Sequence, residues 1–155
     1  MRYVRVVATA GFAAICTGCG TSINVVASPN ANLGAVHTAY LVVHEAPPSD
    51  MDLKVEMALK AQSVEVVKGK ADSSGGSDLL VKYDDKWNWD MAMYLRALEM
   101  QFFDGRTGEV LATSQWTDGA LHGYRDSGRA AAELVAETFK KLGVPPVAAL
   151  APATK

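Results

Sequence analysis

Cysteine and histidine are both scarce in this chain of 155 residues, which contains two cysteines and three histidines. Both cysteines, Cys16 and Cys19, lie near the N-terminus, so the rest of the chain offers no disulfide, no thiolate nucleophile and no cysteine ligand for a metal. His37, His44 and His122 fit none of the spacings typical of zinc sites. The sequence therefore predicts neither a metal nor another cofactor.

An excess of positive charge is also missing, because 15 Lys and Arg residues face 17 Asp and Glu residues, for a formal net charge of −2. Proteins that bind nucleic acid rely on Lys and Arg to neutralise phosphates, so no nucleic-acid partner is expected. The G-x-S-x-G motif of hydrolases, the P-loop and the glycine pattern of dinucleotide-binding proteins are absent as well. The sequence carries no catalytic signature, and we expect a protein that is not an enzyme.

A long hydrophobic run is missing too. The clearest apolar stretch spans residues 6–16, and a membrane-spanning helix needs about 20 apolar residues. This stretch follows Arg2 and Arg5 and precedes two small residues, which is the layout of a removable secretory signal. We predict that residues 1–18 are a signal peptide.

The four residues Cys16-Thr17-Gly18-Cys19 resemble the lipobox of bacterial lipoproteins. In that family a small residue precedes a cysteine whose sulfur receives a diacylglycerol, and the chain is cleaved before this cysteine. The resemblance implies that Cys19 is lipidated and carries acyl chains such as palmitate, although Cys16 stands where the family usually has Leu. It also implies an anchor in the outer membrane, facing the periplasm. In enteric-type sorting an Asp after the lipidated cysteine signals inner-membrane retention, whereas this chain has Gly20.

Cleavage at this point divides the chain into a signal peptide and three further parts. Residues 19–34 are rich in Ser, Asn, Gly and Pro and predict a flexible tether, and residues 144–155 predict a disordered Pro/Ala tail. Residues 35–143 lie between them and have the length of a single domain. The signal peptide takes two arginines with it, which leaves 137 residues with a formal net charge of −4. Membrane attachment is therefore expected to rely on acyl chains rather than on attraction to anionic lipid.

The domain alternates between sheet and helix patterns. Its clearest strand has Leu98, Met100 and Phe102 at alternate positions, the period of a strand with one buried face. The predicted strands are 35–44, 64–68, 79–86, 91–103 and 110–116, and the predicted helices are 49–61 and 126–142. This order, β-α-β-β-β-β-α, favours an α+β fold in which both helices pack on one face of a mainly antiparallel sheet.

The central part of the domain is similar to small envelope lipoproteins of unknown function from Gram-negative bacteria. The similarity rests on three stretches, DLLVKY at residues 78–83, WNWDMAMYL at residues 87–95 and DGRTGEVLA at residues 104–112. The resemblance implies a location in the cell envelope and an α+β fold. It does not imply an activity.

Two tryptophans and three carboxylates are concentrated in a short segment of the domain. Trp87 and Trp89 occupy alternate positions of a strand, so both indoles point to one face. They form either a platform for a sugar ring or a partner side chain, or a cover for the edge of the core. Asp84, Asp85 and Asp90 suggest a second function, the processing of a cell-wall or other glycan by paired carboxylates. Adjacent carboxylates on a regular strand point apart, which argues against that function.

A polar loop before the last helix contains His122, Tyr124 and Arg125. Trp, Tyr and Arg are the residue types that dominate binding hot spots. We therefore predict that this loop, together with Trp87 and Trp89, contacts a protein partner of the envelope. The favoured function is a lipid-anchored periplasmic binding or assembly module without catalysis, and the alternative is the glycan-processing enzyme. The sequence predicts neither the identity of the partner nor the oligomeric state.

Overall fold

The structure of the protein, a computed structural model, describes residues 20–29, 31, 36–44, 50–70, 74–119 and 124–144. Six strands and two helices follow one another within these ranges. They are β1 (Ser22–Ala27), β2 (Thr38–Val42), α1 (Met51–Lys60), β3 (Glu65–Gly69), β4 (Leu79–Trp89), β5 (Met93–Asp104), β6 (Val110–Thr117) and α2 (Ser127–Lys141). Neither of these two described helices is long and apolar enough to cross a membrane.

The strands form one mixed sheet in the order β1-β6-β5-β4-β2-β3. Strands β1, β6, β5 and β4 pair with one another in antiparallel fashion, whereas β2 lies between β4 and β3 and is parallel to both. The parallel strands β2 and β3 are connected through helix α1, because parallel neighbours need a crossover connection. The predicted α+β class is confirmed, but the sheet is mixed, since both pairings of β2 are parallel.

Strand β1 corrects the predicted order of elements, which began with β2. It falls in residues 19–34, the segment predicted to be a flexible tether, yet Ser22 to Ala27 pair with Thr117 to Ala112 of β6. β1 lies at the edge of the sheet, and none of its side chains is fully buried. An edge strand of this kind lacks the strong apolar alternation by which half-buried strands are recognised. The observed order is β-β-α-β-β-β-β-α.

Both helices contact the same face of the sheet. Val81 of β4 lies opposite Phe102 of β5, so these side chains point to one side. The ring of Phe102 meets Phe139 of α2 edge-on, with ring centroids 6.2 Å apart at 77°. Tyr83, two residues after Val81, donates a hydrogen bond from its hydroxyl to Asp52 of α1. The core lies between this face and the helices, and its largest fully buried side chains include Trp116, Phe102, Phe139, Leu41, Met51 and Leu59.

Helix α2 begins and ends close to the predicted residues. Asp126 is the N-cap, and its side chain accepts a hydrogen bond from the N–H of Arg129 at 2.7 Å. Lys140 and Lys141 lie in the last turn, where cations complement the helix dipole. Gly143 follows with a φ of 72°, a left-handed conformation that suits glycine at the end of a helix. The capping residues in the sequence thus determine both ends of α2.

Asp78 joins the start of β4 to the start of β2. Its Oδ2 accepts hydrogen bonds from the N–H groups of His37 and Thr38, both at 3.0 Å, and from the Thr38 hydroxyl at 3.1 Å. The N–H of Asp78 donates to the same hydroxyl oxygen at 2.9 Å. The hydrogen bonds that the carboxylate accepts, first that from His37, hold the pKa of Asp78 below its ordinary value. One carboxylate thus fixes the alignment of two strands whose bonded residues are 40 positions apart.

Candidate functional site

A groove of about 610 Å³ lies between the β4–β5 hairpin and the N-terminal ends of the two helices. Three stretches of the chain line it: the hairpin, the start of α1 and the segment that leads into α2. They are far apart in sequence, and the fold brings them together. The lining residues are Asp50, Lys54, Trp87, Met93, Tyr94, Leu95, Tyr124, Arg125, Asp126 and Ser127. We refer to it below as the aromatic groove.

Three of the predicted partner-binding residues line the aromatic groove. Trp87 comes from β4, and Tyr124 and Arg125 come from the segment just before α2. Trp89 does not line the groove, although it lies only two residues after Trp87. His122 and the predicted lipidation site Cys19 fall outside the described residues, so their predictions stand as predictions.

The two tryptophans occupy different environments, so neither of the alternatives derived from the sequence applies to both. Trp87 is half-buried, packs against the core and donates a hydrogen bond from its indole N–H to the carboxylate of Asp85. Trp89 is 74% exposed, near the end of the hairpin. Trp87 therefore covers the edge of the core and also forms a wall of the groove, whereas Trp89 projects into solvent.

Two tyrosines form the aromatic side of the groove beside Trp87. Tyr94 of β5 is buried, and its ring meets that of Tyr124 edge-on, with centroids 5.8 Å apart at 82°. This edge-to-face geometry is the favoured one for aromatic pairs. The backbone of Tyr124 is left-handed, with a φ of 46°, which is uncommon for a residue other than glycine. The contact with Tyr94 fixes the ring of Tyr124 beside the groove.

The charged groups of the groove belong mostly to the helix ends. Lys54 lies 2.5 Å from Asp50 and donates a hydrogen bond to the Ser127 hydroxyl at 2.7 Å. The hydrogen bond from Lys54 lowers the pKa of Asp50. Asp126 caps α2, so its carboxylate is engaged by backbone. Within the described parts of the chain, the Arg125 guanidinium forms no hydrogen bond or ion pair, and it is the cation that the groove presents to a ligand.

The three carboxylates of the Trp/Asp segment do not converge. Asp84 lies opposite Glu99 on the face of the sheet away from the helices, while Asp85 lies opposite Leu98 on the helix face. Asp90 follows β4 in the turn of the hairpin. The described residues contain no group of three His, Cys, Asp or Glu side chains arranged to hold a metal ion.

A polar network that the sequence does not signal surrounds Tyr83 of β4, four residues before the groove residue Trp87. The ring of His44 stacks on that of Tyr83 at 4.6 Å and 18°, and its Nε2 lies 2.8 Å from the Tyr83 carbonyl oxygen, to which it donates. Burial, followed by the hydrogen bond to Asp52, raises the pKa of Tyr83 far above its ordinary value. Tyr83 is therefore a neutral donor that ties α1 to the sheet. Its partners are 31 and 39 residues away in sequence, and no motif spacing reveals them.

Comparison with known proteins gives a fold and no family. No protein-family model and no curated protein matches the chain. Among solved structures, it is similar to a PelC dodecamer from Paraburkholderia phytofirmans, with a TM-score of 0.58 and 13% identity, covering 81% of this chain and 99% of the PelC chain. A point variant of that PelC, also a dodecamer, gives a TM-score of 0.52 and 13% identity, covering 80% and 98%. At this level of identity the likeness shows a shared fold alone.

Proposed function

We propose that this protein is a lipid-anchored binding or assembly module of the bacterial envelope, attached through Cys19 to the outer membrane and facing the periplasm. Its site is the aromatic groove, and it does not catalyse a reaction. The N-terminal sequence supports this location, because two arginines, an apolar stretch and a lipobox-like tetrad occur there in the order typical of lipoproteins. The location in the outer membrane and the lipid anchor at Cys19 are predictions from the sequence.

The observation that carries the binding proposal is the meeting of Trp87, Tyr124 and Arg125 in one groove. These three residue types are the ones most enriched at binding hot spots, and hot spots cluster in pockets where they are shielded from water. Asp85 already fixes the side chain of Trp87, and Tyr94 fixes that of Tyr124. Binding of a partner would therefore cost little entropy for ordering these side chains. The groove combines apolar surface with one guanidinium, which suits a protein segment that brings an aromatic or aliphatic side chain beside a carboxylate or carbonyl group.

Photocrosslinking in intact cells tests this proposal. A photoreactive amino acid is placed at Tyr124 in the groove, and as a control at Arg106, which is exposed in the β5–β6 turn at the far end of the sheet. We expect a specific protein adduct from position 124 and none from position 106. An adduct of twice the mass of the chain would identify a second copy as the partner, an outcome that the dodecameric PelC neighbours make worth measuring. The absence of any adduct from position 124 would overturn the proposal.

A matched pair of variants sharpens the result. Arg125→Ala removes the groove cation, and Arg106→Ala removes an exposed arginine elsewhere. Both proteins should keep the wild-type melting midpoint, because substitutions at exposed positions change stability by about 0.5 kcal/mol or less. We expect only Arg125→Ala to lose the partner adduct. Equal adduct yields from the two variants would show that the groove is not the binding site.

A glycan-processing enzyme is the alternative, because the exposed Trp89 lies next to Asp90 at the end of the hairpin. An enzyme of this kind would release soluble fragments from peptidoglycan or another envelope glycan. Release that is abolished in a folded Asp90→Asn variant would replace the binding module by the enzyme. We expect no release from either protein.

A further inference from the structure

We propose that the tip of the β4–β5 hairpin inserts into the same lipid surface to which Cys19 is anchored. The hairpin tip consists of Trp89, Met91 and Met93. This inference rests on the proposed lipidation of Cys19 and extends it, because it assigns a second contact with the membrane and fixes which end of the domain faces the lipid.

The hairpin tip contains the two most exposed large apolar side chains of the described residues, Met91 and Trp89. Trp89 is 74% exposed, Met91 87% and Met93 53%. Trp89 and Met93 are cross-strand partners, so their side chains stand next to each other on one face of the hairpin. Met91 lies in the turn between them, which is closed by a hydrogen bond from the N–H of Asp90 to the carbonyl oxygen of Ala92 at 3.1 Å. Three large apolar side chains grouped on one protruding turn form a surface that is costly to leave in water.

The register of the sheet places the hairpin tip at the same end of the domain as the N-terminus of β1. Ser22 lies opposite Thr117 of β6, and Thr117 lies opposite Ala97 of β5. The start of β1 is therefore level with Ala97. From that level β5 extends a further four residues back to Met93, which is about 13 Å at the usual rise per residue of a strand. The hairpin tip thus projects past the rest of the sheet in the direction in which the chain leads toward Cys19.

The length of chain before β1 matches this projection. Cys19 lies three positions before Ser22, and an extended chain covers at most about 3.6 Å per residue, so the Cα of Cys19 is tethered within roughly 11 Å of the Cα of Ser22. This reach is close to the projection of the hairpin tip beyond the same level. A lipid surface that holds the acyl chains of Cys19 is therefore within contact of Trp89, Met91 and Met93.

The hairpin is braced at its base, so it keeps this position. Nη1 of Arg96 donates hydrogen bonds to the carbonyl oxygens of Asp118 at 3.1 Å and Gly119 at 3.0 Å. The N–H of Asp118 donates in turn to the carbonyl oxygen of Arg96 at 3.0 Å. These bonds connect the projecting part of β5 to the end of β6, and a projection held in this way presents its apolar tip without first having to be ordered.

The composition of the hairpin favours a lipid surface over a protein groove and a neutral lipid over an anionic one. Residues 87–95 carry one formal charge, that of Asp90. Tryptophan is enriched at the boundary between headgroups and acyl chains, where its ring is buried and its N–H stays near water, and methionine adapts to a fluid apolar environment. Because the only charge is negative, attraction to anionic headgroups is not the source of binding.

The test uses the processed protein purified from membranes and reconstituted into phosphatidylcholine vesicles with brominated acyl chains, which quench tryptophan fluorescence on contact. Trp89→Phe and Trp87→Phe form a matched pair in one strand, and the third tryptophan, Trp116, is buried in the core. We expect quenching in the wild type and in Trp87→Phe, and loss of most of it in Trp89→Phe. Anionic lipid should not increase the quenching.

A second measurement is the retention of the protein on vesicles. Changing Trp89, Met91 and Met93 together to Ser should weaken retention by about tenfold or more. The control changes Met57 and Val110 to Ser, since these side chains are 62% and 51% exposed away from the hairpin. Retention of the control should equal that of the wild type.

The outcomes separate this inference from the proposed anchor. A mass spectrum without the diacylglycerol on Cys19 would refute the anchor, whatever the fluorescence shows. A lipidated protein in which Trp89 is not quenched, or in which a photoreactive group at Met91 forms protein adducts instead of lipid adducts, would refute insertion of the hairpin tip and leave the anchor standing.

Discussion

Removal of the Asp78 carboxylate should release the aligned starts of β2 and β4. In Asp78→Ala the N–H groups of His37 and Thr38 and the Thr38 hydroxyl lose their shared acceptor. Asp78→Asn keeps an acceptor oxygen and nearly the same shape but loses the charge. The two substitutions therefore separate the loss of the hydrogen bonds from the loss of the charge that strengthens them.

The size of the effect follows from the number of bonds and their exposure. A hydrogen bond within a protein contributes about 0.5–1.5 kcal/mol to stability, so three of them give an upper range of about 1.5–4.5 kcal/mol. Asp78 is half-buried and His37 is exposed, so water replaces part of what the carboxylate provides. We expect Asp78→Ala to lower the free energy of unfolding by about 2 kcal/mol, a large share of the roughly 5–15 kcal/mol of an ordinary domain.

The pH dependence has a definite sign. The pKa of Asp78 is lowered in the folded protein, so its contribution to stability is complete above the pKa of the unfolded chain and is lost as the pH falls through the folded pKa. The stability of the wild type should therefore fall below about pH 5, and the difference between wild type and Asp78→Asn should shrink over the same interval. Asp50, Glu56 and Asp104 also have lowered pKa values, but they are present in both proteins and cancel in the difference.

Urea unfolding of the wild type and the variants, followed by circular dichroism from pH 7 to pH 3, measures these quantities. Asp84→Asn is the control, because this exposed carboxylate lies on the open face of the sheet, and its stability should stay within about 0.5 kcal/mol of the wild type. The reasoning would be refuted by an Asp78→Ala protein as stable as the control, or by a difference between wild type and Asp78→Asn that does not change with pH.

Three further predictions address the anchor and the core. Cys19→Ala should accumulate as an unprocessed precursor in cells, and a variant that is still cleaved at the same place and keeps its membrane association would contradict lipidation. Phe139→Ala should lower the free energy of unfolding by about 3–5 kcal/mol, because this ring is 2% exposed and packs on Phe102. The control Glu137→Ala, on the solvent side of α2, should lower it by about 0.5 kcal/mol or less. An unchanged melting midpoint for Phe139→Ala would show that the ring is not in the core. Tyr83→Phe should cost about 1–3 kcal/mol, since the partly buried Asp52 carboxylate loses its donor while the stacking on His44 remains, and a thermal melt identical to that of the wild type would contradict the network.

The elements with strong local signals were predictable from the sequence. Helix α2 has a capping Asp126, a buried stripe and a terminal Gly143, and each of these acts within one turn of the helix. Strand β5 has Leu98, Met100 and Phe102 on its buried side, so its period is visible in the sequence alone. The parallel pairing of β2 was not predictable in this way. It depends on which strands become neighbours. The hydrogen bonds that stabilise it, between Asp78 and Thr38, join residues far apart in the chain.

The candidate site was predictable in its residue types and not in its geometry. Trp87, Tyr124 and Arg125 were predicted as contact residues from composition, and the fold brings them to one groove. The separation of Trp87 from Trp89 arises because β4 runs past the end of the core, so that the first indole packs on it and the second does not. Alternation along a strand assigns both residues to one face, but it does not tell where the core under that face ends.

Strand β1 changes the functional interpretation more than any other correction. A flexible segment of 15 residues has an r.m.s. end-to-end distance of roughly 20–23 Å, so a domain on such a tether would take many heights and orientations above the membrane. Because β1 begins at Ser22, only two residues separate the sheet from Cys19. The N–H of Ser28 donates a hydrogen bond to the carbonyl oxygen of Leu111 at 2.8 Å just beyond the other end of the strand. A lipidated Cys19 would thus hold one end of the sheet against the membrane. That end carries the hairpin tip, and Met93 of the tip also lines the aromatic groove, so the groove would lie close to the membrane that holds Cys19.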